Sequence, residues 1–493
     1  MHHPVLKNGL WTEASFPVSS FKTVSPLTGK QLPDSFPVSS FLDLDEMLQS
    51  QHQDRSAIES ISPQLISQLL GRIADGFAAE SENLVETAHQ ETGLEKTPFL
   101  EKSELAVSIE YLKKAADLVS NQQATRTFFD ETGNLHSFSR PLNGPVVLFS
   151  PAWSPFRLGS CTGVNFAAAL AAGNSIIAKG NPGLPMTGYL AAKIVHQAIS
   201  SLNLPLSLFQ YFHHTSRDLG YHIAAHPMTG AVSFAGSQRS AKAIRENAAF
   251  TGKTFWCNPA LANPVFIFPD CVEANREQLA REITRLALHN NGQNSCRPGP
   301  FFIVEDRPGS QLIHQVIDSF NQRDAKGMLS DIKARHLDET VAGLIRSGAR
   351  KLTRKEFFQP SPFIYPNTVL VADARTCFKS PQQFHDHVPG PLALFITFEK
   401  AAELEMAVKS LDQCMSLSIF AGSHETPLLR QFMAQAAKKT SFLLFNRLPE
   451  VGPTGSPLDP FFANFPLERT IAGFSCELSF SGFPAQLLPE SAG

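Results

Sequence analysis

From residue 145 onward, short uninterrupted apolar runs alternate with segments whose apolar residues recur every three or four positions. The runs are "PVVLFS", "NSIIAKG", "LSLFQYFHH" and "GAVSFAGS"; the segments between and after them are "TGVNFAAALAAG", "PMTGYLAAKIVHQAISSL", "DLGYHIAAHP" and "RSAKAIRENAAF". A strand that is apolar on both faces needs cover on both sides, and crossover helices supply it. Right-handed crossovers then give a doubly wound sheet of the kind that binds nucleotides at its carboxyl edge.

A second round of the same rhythm begins at residue 263. Here "NPVFIFPD", "PGPFFIVED", "TVLVAD" and "PLALFITFE" read as strands, and "NREQLAREITRLALHNNG", "GSQLIHQVIDSFNQ", "ETVAGLIRSGA", "AAELEMAVKSL" and "TPLLRQFMAQAAKKT" as helices. Ahead of both rounds, residues 45–120 carry helical spacing, and 125–142 alternate around a Thr-Gly-Asn turn, which predicts a β-hairpin. The last section, "FPLERTIAGFSCELSFSGFPAQLLPE", predicts short strand and no helix.

A chain of 493 residues predicts two or three domains, and 43% hydrophobic residues suffice for a large core. Charged residues are 18% with a net of −3, so nothing electrostatic points to nucleic acid or to an anionic membrane surface. There is no apolar run of about 20 residues. The opening "MHHPVLKNGLW" lacks a signal-peptide layout, and the expectation is a soluble, cytoplasmic protein. The seven cysteines are scattered, with no CxxC and no Cys/His pair at zinc spacing, so no metal site is expected. Most read as buried small hydrophobes; only Cys296 sits in a small-residue loop, "HNNGQNSCRPGP". The 39 phenylalanines read as core filling.

Seven stretches in one order carry a likeness to a known family: the loop at 150–155, "ALAAGNSIIAKG" (169–180), "SFAGS" (233–237), "NPVFIFPD" (263–270), "HNNGQ" (289–293), "GPLAL" (390–394) and "FNRLPEVGPTG" (445–455). Together they resemble the aldehyde dehydrogenase superfamily across almost the whole chain, nearest in flavour to the ketoglutarate-semialdehyde branch. The resemblance implies an α/β fold of two doubly wound domains plus a small β oligomerisation arm. It implies a nucleotide-binding domain over 1–124 and 143–256, a catalytic domain over 257–445, and an arm from 125–142 and 466–493. It further implies homodimers or homotetramers joined through that arm, with NAD or NADP as cofactor and an aldehyde or acyl compound as substrate.

Oxidising an aldehyde through a covalent intermediate needs a thiolate, donors for the oxyanion, a hydride acceptor and a base that activates water. By the family's spacing after Gly292 and Gln293, the nucleophile's place holds Ser295, and Cys296 comes one residue late. Arg297 beside it would lower its thiol pKa, and Pro298 and Gly299 allow an unusual backbone path. The oxyanion donor's place holds Trp153, and the general base's place holds Asn258, which cannot accept a proton at neutral pH. On the cofactor side, Lys179 matches the lysine on the adenosine ribose, and Gly236 with Ser237 match the turn under the pyrophosphate. The glutamate on the nicotinamide ribose is replaced by His387, and Ala241 stands where a glycine of the phosphate turn is usual. Lys179 and Asn181 permit a 2′-phosphate without demanding one. Two readings stay open. One is an oxidoreductase acting on an aldehyde or acyl thioester through Cys296. The other is a catalytically degenerate nucleotide-binding or scaffolding subunit, with an active homologue as a partner.

Overall fold

The strand Val146–Phe149 shows why both faces of the first sheet must be covered. Val146 and Leu148 join one buried cluster and Val147 another, and Ile176, Ala178 and Ile177 divide the same way on the next strand. Strand side chains alternate between faces, so a continuously apolar run feeds two cores. The computed structural model describes residues 1–15, 19–121, 127–129, 135–216, 218–354, 361–422, 426–452, 456, 459 and 466–481.

The first sheet runs in the order Thr254–Ala260, Ala231–Ser237, Val146–Phe149, Ile176–Gly180, Phe209–His213, Val5–Lys7, Leu10–Thr12. Its first five strands are parallel, and the two N-terminal ones close the edge in antiparallel pairing. Helices Pro63–Ala79, Ala106–Ser120, Val164–Ala171 and Pro185–Ser201 pack on one face; Phe41–Gln53 and Asp218–Ala225 pack on the other. The second sheet runs Arg350–Lys351, Thr368–Asp373, Leu392–Phe398, Phe301–Val304, Val265–Ile267, Leu417–Phe420, Leu443–Phe445, parallel except at its first strand. It too has two faces, with Phe266 and Phe302 on one and Val265 and Phe301 on the other. Phe266 and Phe302 stack with centroids 4.5 Å apart, and Phe301 stacks on Phe395 at 5.1 Å. The fold is thus α/β with two doubly wound parallel sheets.

A third sheet pairs Ser475–Ser481, Leu135–Pro141 and Thr127–Phe129, all antiparallel. These strands are the described part of the expected arm; the turn of the predicted hairpin and residues 482–493 lie outside the described residues.

Two expectations need correction, and two short strands gave no sequence signal. The strand Thr254–Ala260 continues the first sheet past residue 256, because Ala231–Ser237 pairs with it along its whole length. The strands at 5–7 and 10–12 were not visible as such, being only three residues each. Finally, Leu467–Gly473 is a helix, not strand. Leu467, Ile471 and Phe474 fall on one helical face and enter the first core, so residues 466–473 belong with that unit rather than with the arm. Among the described residues no helix is long and apolar enough to cross a membrane.

Candidate functional site

The loop after Val146–Phe149 meets the loop before Phe301–Val304 at the centre of the molecule. The second loop reverses sharply: Asn290 (φ 49°), Asn291 (φ 55°) and Gly292 (φ 67°) are successive left-handed residues. Asn tolerates this region better than most side chains. Gly292 is required, since a Cβ there would lie 1.9 Å from the Gly390 carbonyl oxygen. The reversal turns Asn294–Arg297 into the interior, where all four residues are buried.

Cys296 is 2% exposed and packs with the first unit's core. Its N–H donates to Asn294 Oδ1 (3.0 Å), and its sulfur lies 3.6 Å from Asp459 Oδ1 and 4.0 Å from Ser295 Oγ. Burial, aided by the Asp459 carboxylate, pushes the thiol well above its ordinary value; Arg157 pulls the other way and loses. The expected help from Arg297 is not there. Its guanidinium donates to the Leu392 carbonyl (2.5 Å), and burial lowers its own pKa to about 10. A protonated, enclosed thiol is a poor nucleophile.

Ser295 lines a cavity of ≈ 10 Å³ with Phe99, Glu104, Trp153, Arg157 and Val451. That is at most the room one water needs. Among the described residues, the only hydrogen-bond-range neighbour of Ser295 Oγ is the Cys296 sulfur, so no base activates it. Trp153 packs its indole on the first core where the family would present a small donor. Two buried acids finish the closure. Arg157 Nη1 donates to Asp459 Oδ2 (2.9 Å), with side-chain exposures of 4% and 0%. Gly452 N donates to the same oxygen at 3.2 Å. Glu104 accepts from Ser154 Oγ (2.8 Å), Phe156 N (3.1 Å) and Arg157 N (3.0 Å). Burial raises the Glu104 pKa despite Arg157, while Asp459 and Glu104 outweigh burial and hold Arg157 charged. Sequence reasoning missed this trio, although Arg157 is the only charged residue between Arg140 and Lys179. A lone charge in so apolar a stretch calls for a buried partner.

Asn258 does not reach this cavity's wall. It sits on Thr254–Ala260 opposite Ala235, is 2% exposed, and accepts from Asn165 Nδ2 (2.5 Å). Its own Nδ2 has no partner. An amide pair moves no proton at neutral pH.

Two cofactor-side residues come together at the carboxyl edge of the first sheet. Lys179 and Ser237 end strands on either side of Val146–Phe149, where the strand order reverses. That is the usual place for a nucleotide. Ser237 caps helix Gln238–Phe250 by accepting from Ser240 N (3.3 Å), and Gly236 leaves room for the Phe234 ring, which a Cβ would approach to 2.7 Å. Burial lowers Lys179 to about 8; burial and Lys179 together lower His213, on the next strand, to about 3. Burial, then Arg297, lowers His387 to about 3 and leaves its ring neutral, with Nδ1 lacking a hydrogen-bond partner among the described residues. His385, two residues away, points elsewhere and lies 3.4 Å from the Cys377 sulfur. Among the described residues no cluster of three His, Cys, Asp or Glu side chains could hold a metal ion.

The sequence profile of the aldehyde dehydrogenase family matches residues 11–426. The chain belongs to that family. It is 26% identical over 318 residues to an alpha-ketoglutaric semialdehyde dehydrogenase of Acinetobacter baylyi, covering 62% of this chain and 58% of that relative. It is 23% identical to a second such enzyme from Azospirillum brasilense, covering 77% and 74%. Its backbone superposes on aldehyde dehydrogenase C of Pseudomonas syringae, solved with NAD+ and octanal, with a TM-score of 0.80 at 18% identity over 98% of this chain and 97% of that one. For the Bartonella henselae aldehyde dehydrogenase the values are 0.79 and 17%, over 98% and 100%. The family's fold is kept over nearly the whole chain.

Proposed function

We propose that this family member binds NAD or NADP by the adenosine half and serves as a nucleotide-binding or scaffolding subunit rather than as an aldehyde oxidant. The observation that carries the reading is the narrow centre: among the described residues the cavity beside Ser295 measures ≈ 10 Å³, with Trp153 and Arg157 in its wall and Arg157 held by Asp459. A carbonyl substrate has no room there, Cys296 is protonated, and neither Trp153 nor Asn258 supplies its counterpart's chemistry. The three-stranded sheet around Leu135–Pro141 is the surface through which a homodimer, a homotetramer or a pairing with an active homologue would form. The cytoplasm is the compartment this reading expects.

The test measures binding and turnover on one preparation. NAD or NADP should raise the melting temperature, as any ligand selective for the folded state does. Neither an aldehyde with NAD(P) nor an acyl thioester with NAD(P)H should be turned over. Turnover that is lost in Cys296→Ala would overturn the reading.

A second reading, an oxidoreductase using Cys296, is favoured by family membership and by the contact of Cys296 with cavity-lining Ser295. It requires the Arg157–Asp459 pair to open. Iodoacetamide labelling of Cys296 in the native protein is its signature.

A further inference from the structure

A second cavity, of ≈ 670 Å³, lies apart from the closed centre and shares no wall residue with it. One side is the loop at 26–29 and the stretch 92–96; the other is the end of helix Pro269–Leu288, the loop at 289–293 and residues 323–327. Its volume falls in the range of small-molecule sites, roughly 300–1,000 Å³.

The wall is strongly biased in charge. Lys96, Arg285, Arg323 and Lys326 line it, and among the described residues Glu95 is its one carboxylate. Arg285 is satisfied by Glu450 (2.7 and 3.1 Å) and Lys96 by Glu86, both outside the wall. Among the described residues, the side chains of Arg323 and Lys326 have no hydrogen bond or ion pair. A donor is also left over. Asn290 accepts from Glu95 N through Oδ1 (3.1 Å), but its buried Nδ2 has no hydrogen-bond partner among the described residues. Buried donors without acceptors are rare in folded proteins and ask for a ligand or water. The rest of the wall is fixed: Asn291 Nδ2 donates to Lys326 O (2.9 Å), and Gln293 Oε1 accepts from Leu329 N (2.9 Å).

We infer that this cavity binds a small organic anion bearing carboxylate or phosphate groups, held by Arg323, Lys326 and the Asn290 amide. Arginine and lysine pair with both groups, and arginine does so through two parallel N–H bonds. The loop that forms one wall continues directly into Ser295 and Cys296, so an occupant stiffens the segment entering the closed centre. The inference stands whether or not the chain oxidises aldehydes.

Calorimetry on the full chain tests it, with inorganic phosphate in one arm and citrate in the other. Binding of either is expected with Kd below about 1 mM; which one binds tells phosphate from carboxylate chemistry. Arg323→Ala/Lys326→Ala removes two exposed side chains and should weaken binding at least about tenfold. Thr28→Trp, which fills the cavity without altering charge, should do the same. Amide exchange of residues 289–296 should slow when the anion binds. No binding of either anion up to about 10 mM, or unchanged affinity in both variants, overturns the inference.

Discussion

Asp459→Asn removes one charge from the sealed centre and keeps its shape. In the native protein Asp459 is fully buried and Arg157 is 4% exposed, joined by a 2.9 Å bond. Removing one partner of such a pair costs about 3–5 kcal/mol, because the other charge stays buried without compensation. Two features place this case at the low end. The amide still accepts one hydrogen bond, and Glu104 still lies close enough to favour the Arg157 charge. The expected loss is therefore about 3 kcal/mol. Arg157→Met in the same background removes the orphaned cation and should recover most of it, giving a coupling of at least about 2 kcal/mol. Urea melts of the four proteins at neutral pH measure the cycle, provided their slopes agree. A loss below about 1 kcal/mol, the worth of a solvent-exposed pair, would refute the sealed centre.

Three further outcomes are expected. Glu91 is 2% exposed and accepts from Met186 N (2.8 Å), Thr187 N (2.9 Å) and Thr187 Oγ1 (2.6 Å), yet burial raises its pKa from 4.5 to about 7. The folded state thus keeps its proton longer than the unfolded chain. Stability contributed by this group falls as pH rises from 4.5 to about 7, by roughly 3 kcal/mol, and is flat outside that window. Urea midpoints of wild type and Glu91→Gln across that range should diverge accordingly; parallel curves would contradict it. Gly292→Ala should cost at least about 3 kcal/mol, since its Cβ would meet the Gly390 carbonyl at 1.9 Å with φ at 67°; a melt within error of wild type would sink that account. Ser295→Cys puts a thiol on the wall of the closed centre, and a small methanethiosulfonate should modify it at least about tenfold more slowly than the part-exposed Cys476; equal rates would mean that the centre is open.

Eight strands of the two parallel sheets were legible because they are continuously apolar, and that pattern follows from cover on two faces; the parallel strands Thr254–Ala260, Leu417–Phe420 and Leu443–Phe445 were not read. The N-terminal strands were not, because Val5–Lys7 and Leu10–Thr12 are three residues each, too short to show a period. The helix Leu467–Gly473 was hidden by the alternating "CELSFS" that follows it. In the site, spacing singled out Trp153, Asn258 and Ser295, and the structure brings Trp153 and Ser295, but not Asn258, to one cavity wall. What spacing could not supply was the environment of Cys296. Arg297 is its neighbour in sequence, but burial sets its protonation, with Asp459 adding to the effect and Arg157 opposing it, both brought from far along the chain. A pKa depends on three-dimensional neighbours, and none of these shares a local pattern with the thiol.

The partnership of Arg157 with Asp459 joins residues 302 positions apart, and Asn174 reaches 300 positions forward to the Phe474 carbonyl. The first globular half is thus finished by a part of the polypeptide made some 300 residues later. At about 5–20 residues per second, Arg157 waits roughly 15–60 s for its counter-charge during synthesis. Nascent chains stalled short of the C-terminal section would therefore carry a half-built amino-terminal lobe, exposed to proteases and chaperones until the tail closes it.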